Sequence, residues 1–232
     1  MAKITPSAIV GRISGSIHSE VYSRNRYGAY VRARTIPTNP ATEYQQDIRA
    51  IFGYLSAAWR DLTDSARAGW NSWAQTNPIT DRLGERQVLT GHVAYVSLNH
   101  RLLQAGDTVI GAPPVVAAPA PLTSLTLSAD IGVGDFTVAF TATPLGAGDR
   151  LYLLAAVVDS PARSYVKNLY KLVAITAKAQ VSPYTCEADV VLRFGDLAVG
   201  QKVVVQASVL SSTTGLLSLP LRDEALVVST GP

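Results

Sequence analysis

Hydrophobic and polar residues follow three different patterns along this chain of 232 residues. Small and apolar side chains recur at every second position in residues 27–33, which is the period of an exposed β-strand. Residues 48–62 repeat apolar positions at intervals of three and four, which indicates an amphipathic helix. Residues 122–232 contain short runs rich in Val, Leu and Thr between turn residues, a pattern typical of β-strands. The sequence therefore predicts an α+β, multi-domain protein.

The first predicted domain, residues 1–40, is a basic extended arm or β-ribbon. Its composition is dominated by Gly, Ser and Arg, and repeated glycines disfavour a long helix. The sequence SRNR, centred on Asn25, is expected to turn the strand SIHSEVYS back on the strand YGAYVRARTI, giving an antiparallel hairpin.

The second predicted domain, residues 41–110, is a small unit of three helices. Asn39 is expected to cap the first helix, with Pro40 as its first residue. Thr63 or Asp64 is expected to cap the second helix, and the third is expected to start near Thr90 and to stop at Gly106.

All three tryptophans of the chain lie in this helical unit: Trp59, Trp70 and Trp73. In one interpretation they form the core, because three short amphipathic helices bury little area without large side chains. In the other interpretation some of the rings anchor a neighbouring subunit, since Trp is enriched in interface hot spots.

The third predicted domain is an all-β region at residues 122–232, preceded by a Pro- and Ala-rich linker at residues 111–121. About seven strand-like runs in such a length fit an antiparallel β-sandwich of immunoglobulin or fibronectin-III type. TCEADVVLRF, residues 185–194, is one of the runs predicted as a strand, and EALVVST is the last of them.

Positive charge is concentrated in the arm. Residues 1–40 contain six basic residues and one acidic residue, 6 − 1 = +5, whereas the whole chain has a net charge of +3. An anionic partner would therefore be sought at the arm.

The residue types that carry chemistry are sparse, so we expect no enzyme, no cofactor and no metal site. His92 and His100 are eight residues apart on a predicted helix, about 12 Å of rise, which is too far to hold one ion. The single cysteine, Cys186, forms no intrachain disulfide, which suits a reducing cytoplasm, and its place in a strand-like segment predicts a buried thiol. No window has about 18 consecutive apolar residues, and the N-terminus lacks the apolar region of a secretory signal.

The arm is the strongest candidate for a binding site. Arginine and tyrosine are enriched at protein interfaces, which favours a segment that docks on neighbouring subunits. The same mixture of arginine and aromatic rings is typical of single-strand binders, so nucleic-acid contact stays open, as does a plain solvated tail. A third class of function is carbohydrate or receptor binding by tyrosines of the β-region: Tyr152, Tyr165, Tyr170 and Tyr184. The candidate partner-binding residues are Arg24, Arg26, Tyr27, Tyr30, Arg32, Arg34, Trp59, Trp70 and Trp73.

The first half of the chain resembles N-terminal regions of uncharacterised proteins from tailed bacteriophages and prophage-like elements. The residues that carry this resemblance are Gly15, Arg24, Asn25, Arg26, Gly28, Tyr30, Val31, Arg32, Asn39, Pro40, Trp59, Leu62, Thr63, Arg67, Trp70 and Ala74. The resemblance implies a virion structural protein made in the bacterial host cytoplasm. It would be an oligomeric capsid or tail accessory or decoration subunit that binds other virion proteins and displays the β-sandwich.

Overall fold

The computed structural model describes residues 2–4, 13–80, 85–132, 134–143 and 145–230. The chain divides into two compact units, residues 1–47 and residues 48–232. The four-part domain layout that the sequence predicts stays a prediction. The mixture of helices and antiparallel sheets confirms the α+β class.

The first unit contains a four-stranded antiparallel sheet. Its strands are β1 (Ala2–Lys3), β2 (Gly15–Ile17), β3 (Glu20–Asn25) and β4 (Gly28–Ala33), in the order β1-β4-β3-β2. The predicted hairpin is confirmed, because β3 and β4 pair over their full length. The predicted strand SIHSEVYS is not one strand, however, since a turn at residues 18–19 divides it between β2 and β3. Arg26 and Tyr27 form the connecting turn, in which the Tyr27 amide donates to Asn25 Oδ1 at 2.9 Å. Gly28 follows with a φ of +115°, a conformation that favours glycine.

Three helices follow in the chain: α1 (Glu43–Asp61), α2 (Asp64–Thr76) and α3 (Gly91–Gln104). Of the two caps predicted for the second helix, Thr63 is confirmed, since its Oγ1 accepts from the Ala66 amide at 3.2 Å. The predicted start of the third helix near Thr90 is also confirmed, and Thr90 Oγ1 caps it by accepting from the Val93 amide at 3.3 Å. A pair of two-residue strands, β5 (Ile79–Thr80) and β6 (Arg86–Gln87), lies between α2 and α3.

The predicted start of the first helix is wrong. Helix α1 begins at Glu43 and not at Pro40, and Thr42 Oγ1 accepts from the Gln45 amide at 3.4 Å in the capping position. Ala41 has a φ of +49°, which no right-handed helix contains, so Asn39 and Pro40 lie in the irregular segment before the helix.

The helices of the second unit share a core of large side chains. Tyr95 lies between Trp59 and Trp70, with 5.4 Å between its ring centroid and that of each tryptophan. The Trp70 indole N–H donates to the Gly111 carbonyl oxygen at 2.8 Å, which satisfies the one polar atom of a fully buried ring. Leu216, from the β-region of the same unit, also packs on this core.

From residue 122 onwards, the described residues of the second unit form seven strands and one helix: β7 (Ser124–Asp130), β8 (Asp135–Thr141), β9 (Asp149–Val158), β10 (Lys171–Ile175), β11 (Tyr184–Thr185), α4 (Glu187–Phe194), β12 (Lys202–Ser211) and β13 (Leu221–Leu226). They form one antiparallel sheet in the order β10-β9-β12-β13 and another in the order β11-β8-β7. Buried side chains of both sheets belong to one hydrophobic core, including Leu127, Phe136, Val138, Leu153, Val203 and Val205.

The description of residues 122–232 as all-β is wrong at TCEADVVLRF, where residues 187–194 form α4 and only Tyr184–Thr185 are a strand. Cys186, Val190 and Phe194 are spaced four apart, so a helix places them on one face, and all three belong to or pack on the core. Leu192 points away and is 86% exposed. The last strand is displaced too. β13 is Leu221–Leu226, so it begins three residues before the predicted run EALVVST, residues 224–230, and ends within that run.

Within the second unit, α3 is joined to the β-region by polar contacts. Asp107, three residues after α3, accepts hydrogen bonds from Arg150 on β9 at 2.9 and 3.0 Å. Arg101 Nη1 donates to the Gly215 carbonyl oxygen at 3.1 Å. Gly215 has a φ of +70°, and a Cβ atom there would lie 2.4 Å from the Leu98 carbonyl oxygen, so only glycine allows this approach of backbone to helix.

Candidate functional site

The arm sheet, strands β1 to β4, is the candidate docking site, and it lacks a core of its own. Among residues 3–4 and 13–47, whose exposure is described, no side chain is buried. Ile17 is 61% exposed, and Ile36, just beyond β4, is 91% exposed. Small sheets need a buried apolar face to be stable in water. Ordering the arm therefore calls for apolar contacts that the described residues of this unit do not supply.

The basic side chains of the arm sheet lie on both of its faces. Residues that pair directly across antiparallel strands share a face. Arg32 pairs with Val21 and lies on the face that carries Tyr30, whereas Arg24 pairs with Ala29 and lies on the other face. Arg26 is in the turn between them. Positive charge is thus spread around the ribbon and does not form one flat basic surface.

The arginines of the arm have no acidic partner within the part of the chain that the structure describes. Arg24, Arg26, Arg32 and Arg34 are exposed, and none of them forms an ion pair with a described carboxylate. The one acid on β3, Glu20, instead accepts the Tyr22 hydroxyl at 2.5 Å. That hydrogen bond, followed by the Glu20 charge, raises the pKa of Tyr22. The four guanidinium groups therefore keep their donors for another molecule.

The three tryptophans differ in their surroundings. Trp70 has no exposed surface, so its ring belongs to the core and the interface interpretation is wrong for this residue. Trp59 contacts Tyr95 and His92, and Trp73 contacts Trp70 edge-to-face at 6.0 Å. Both rings are only partly buried, so for these two residues an interface role stays a prediction.

The tyrosines proposed for carbohydrate recognition are dispersed. Tyr152 lies on β9 and Tyr184 lies on β11, which belong to different sheets. The Tyr184 hydroxyl donates to Asp189 at 2.5 Å, while Tyr165 is 62% exposed in the loop after β9. Tyr170 precedes β10 and packs on Ala156, Val158 and Val204. Tyr152, Tyr165 and Tyr184 therefore do not share one strand, and a carbohydrate role for these residues stays a prediction.

A reactive thiol and a cluster of metal ligands are two kinds of group that could perform chemistry. The prediction of a buried thiol is confirmed, since Cys186 has no exposed surface and burial raises the pKa of its thiol to about 12. Among the described residues no three His, Cys, Asp or Glu side chains are grouped as metal ligands would be.

A cavity that sequence reasoning missed lies between α1, α3 and β9. It has a volume of about 450 Å³. Its walls include Phe52 from α1, Val96, His100 and Arg101 from α3, and Tyr152 from β9. Val96 and His100 are four residues apart, so the sequence alone indicates that they share one face of α3. It does not indicate that Tyr152, a residue of the β-region, lies near that face and forms another wall of the cavity.

Comparisons with protein-family models, with curated proteins and with solved structures found no match for this chain. Within the described ranges, no helix combines the length and apolar character that crossing a bilayer requires.

Proposed function

We propose that this protein is a non-enzymatic structural subunit of a tailed-bacteriophage particle. It would serve as a capsid or tail accessory subunit that docks on neighbouring subunits through the arm sheet and its helical region and displays the β-region. The observation that carries the proposal is the arm sheet, in which no described side chain is buried, Ile17 is exposed, and arginines lie on both faces.

An arm of this kind gains its stability from a partner. A segment that orders on binding pays its conformational entropy at that moment, so it binds weakly through one copy and firmly when many copies repeat the contact. Exposed strands and arginine donors on both faces suit a ribbon that lies between two protein surfaces or adds to another sheet. A flat basic face would suit a nucleic-acid duplex better, and Arg24 and Arg32 lie on opposite faces.

We further propose that the displayed region has a fibronectin-III-like arrangement. Its first, second and fifth strands form one sheet, and its third, fourth, sixth and seventh strands form the other. This division of seven antiparallel strands around one core supports a sandwich with crossing connections, and α4 is an addition between the fifth and sixth strands.

The direct test is the composition of purified particles. Mass spectrometry should detect this chain as a stoichiometric component, and a density map should place the arm against neighbouring subunits. Particles of full infectivity that contain no copy of the chain would contradict the proposal.

A second test asks what the arginines bind. Replacing Arg24 and Arg32 by Ala should reduce incorporation into particles, whereas the charge-matched replacement of the exposed Arg163 and Lys167 of the displayed β-region by Ala should leave incorporation unchanged. The same variants are then compared for retention on single- and double-stranded DNA at increasing salt. A salt-sensitive DNA affinity that disappears with Arg24 and Arg32, together with normal incorporation, would favour nucleic-acid binding instead.

A further inference from the structure

The cavity between α1, α3 and β9 combines apolar walls with a cationic group. Phe52 and Val93, both on its walls, keep 45% and 46% of their surface exposed, so apolar side chains face an accessible space. A volume of about 450 Å³ lies within the range of small-molecule sites, roughly 300–1,000 Å³.

The cationic group is Arg101, which is partly buried and incompletely paired. Its Nη1 donates to the Gly215 carbonyl oxygen at 3.1 Å. No carboxylate among the described residues forms an ion pair with it. Burial lowers the pKa of this guanidinium, which still carries its charge at neutral pH because the ordinary value is 12.5. A cation removed from water without an anionic partner is costly, and a bound anion would offset that cost.

His100 completes the polar end of the cavity without adding charge. Its ring stacks on Phe52 with 5.1 Å between the centroids, and its Nε2 atom has no hydrogen-bond partner. Burial, and then the charge of Arg101, lower the pKa of His100 below its ordinary 6.5, so the imidazole is neutral at pH 7. The site thus offers one fixed positive charge beside an apolar surface.

We propose that this cavity binds a small molecule that carries a carboxylate on an aromatic or aliphatic body. The carboxylate would pair with the free side of the Arg101 guanidinium, whose planar donor fork matches two carboxylate oxygens. The apolar body would lie against Phe52 and Val96. The residues of this site belong to the second unit, and the proposal does not depend on the proposed structural role.

Phenylacetate and octanoate are suitable probes, and phenylacetamide is the uncharged counterpart of the first. Isothermal titration calorimetry on the full chain should give saturable binding of both acids at one site. Phenylacetamide should bind at least about 10-fold more weakly than phenylacetate, because it cannot form a charge-assisted pair. Equal affinities for the acid and the amide, or no saturable binding of either acid, would overturn the proposal.

Variants locate the site on the molecule. Arg101→Met should weaken phenylacetate binding by at least about 10-fold and Arg101→Lys by less, since lysine keeps the charge but loses the fork. Ser97→Trp should fill the cavity and abolish binding of all probes, while Arg60→Met, an exposed control on α1, should bind as the unaltered chain does.

Circular dichroism melts establish that each variant is folded before it is titrated. Folded Arg101→Met that keeps full affinity would place the acid elsewhere and refute the assignment. If Arg101→Met does not fold, the acid-to-amide comparison on the unaltered chain and the effect of Ser97→Trp decide the question.

Discussion

Asp107→Asn should destabilise the second unit strongly, because this carboxylate links the end of α3 to the β-region. Its side chain is only 6% exposed. It accepts two hydrogen bonds from Arg150, Nε to Oδ2 at 2.9 Å and Nη2 to Oδ1 at 3.0 Å, and a third contact from Lys178 Nζ at 3.1 Å. Asparagine keeps the shape of the side chain and removes its charge.

The size of the effect follows from the burial of the partners. Removing one member of a buried ion pair costs about 3–5 kcal/mol, because the remaining charge is left without compensation. Arg150 is 14% exposed and fits that case, whereas Lys178 is 46% exposed and contributes less than about 1 kcal/mol. Arg150 also keeps its bond to the Thr176 carbonyl oxygen at 2.9 Å. We therefore expect Asp107→Asn to lower the free energy of unfolding by about 3 kcal/mol, the lower end of that range.

The loss of stability caused by Asp107→Asn should become smaller as the pH falls. Burial acts to raise the pKa of Asp107, but the hydrogen bonds and charges of Arg150 and Lys178 outweigh it, so the pKa in the folded chain lies below its ordinary value. The ionised Asp107 therefore contributes its full stabilisation above the pKa that it has in the unfolded chain, about 4. This stabilisation disappears as the pH falls through the lower pKa of the folded chain. The difference between the unaltered chain and Asp107→Asn should shrink over that range.

Urea denaturation followed by circular dichroism measures the free energy of unfolding of each variant. A double-mutant cycle with Arg150→Met should give a coupling above about 1 kcal/mol, because the two side chains share two hydrogen bonds. Asp64→Asn is the control: Asp64 is fully exposed and pairs with Arg67 on the surface of α2, so its loss should stay below about 1 kcal/mol. An Asp107→Asn variant as stable as this control, or additive effects in the cycle, would refute the reasoning.

Four further predictions concern packing, backbone, reactivity and accessibility. Trp70→Ala should cost about 3–5 kcal/mol in urea denaturation, because it empties a fully buried site, and a cost below about 1 kcal/mol would place the ring outside the core. Gly215→Ala should be destabilising by more than about 1 kcal/mol, since its Cβ atom would meet the Leu98 carbonyl oxygen; a neutral effect would contradict the close approach. Cys186 should react with a thiol reagent only under denaturing conditions, and rapid labelling of the native chain would contradict a thiol whose pKa is raised to about 12. Limited proteolysis should cut at residues 115–116, which are 100% and 64% exposed, and the two fragments should co-elute on gel filtration because contacts within the second unit join them.

Local sequence rules predicted the features that depend on neighbouring residues. The cap at Thr63 and the start of α3 near Thr90 were predictable because a capping side chain bonds to an amide only three residues away. The hairpin of β3 and β4 was predictable because its two strands alternate and are joined by a short turn. The burial of Cys186 was predicted from a strand-like context, and the thiol is buried although a helix follows it.

Where one segment fits two local patterns, the secondary structure predicted from the sequence was wrong. TCEADVVLRF contains β-branched residues that favour a strand, but it also has apolar residues four apart that favour a helix. The helix prevails because it places Val190 and Phe194 on a shared core, and that core exists only after the sheets have formed. Similarly, Asn39 and Pro40 fit the start of a helix, but the backbone turns at Ala41 and the helix starts later.

The sequence by itself determined the α+β class, the basic arm and most strand positions, because these follow from local periodicity and composition. Only the tertiary structure decided that Trp70 is a core residue, that the arginines of the arm lie on both faces, and that Arg101 and Tyr152 border one cavity. Each of these facts depends on strand register or on contacts between residues far apart in the chain. Such contacts produce no periodic pattern in the sequence, because they are stabilised by packing between elements that meet only in the folded chain.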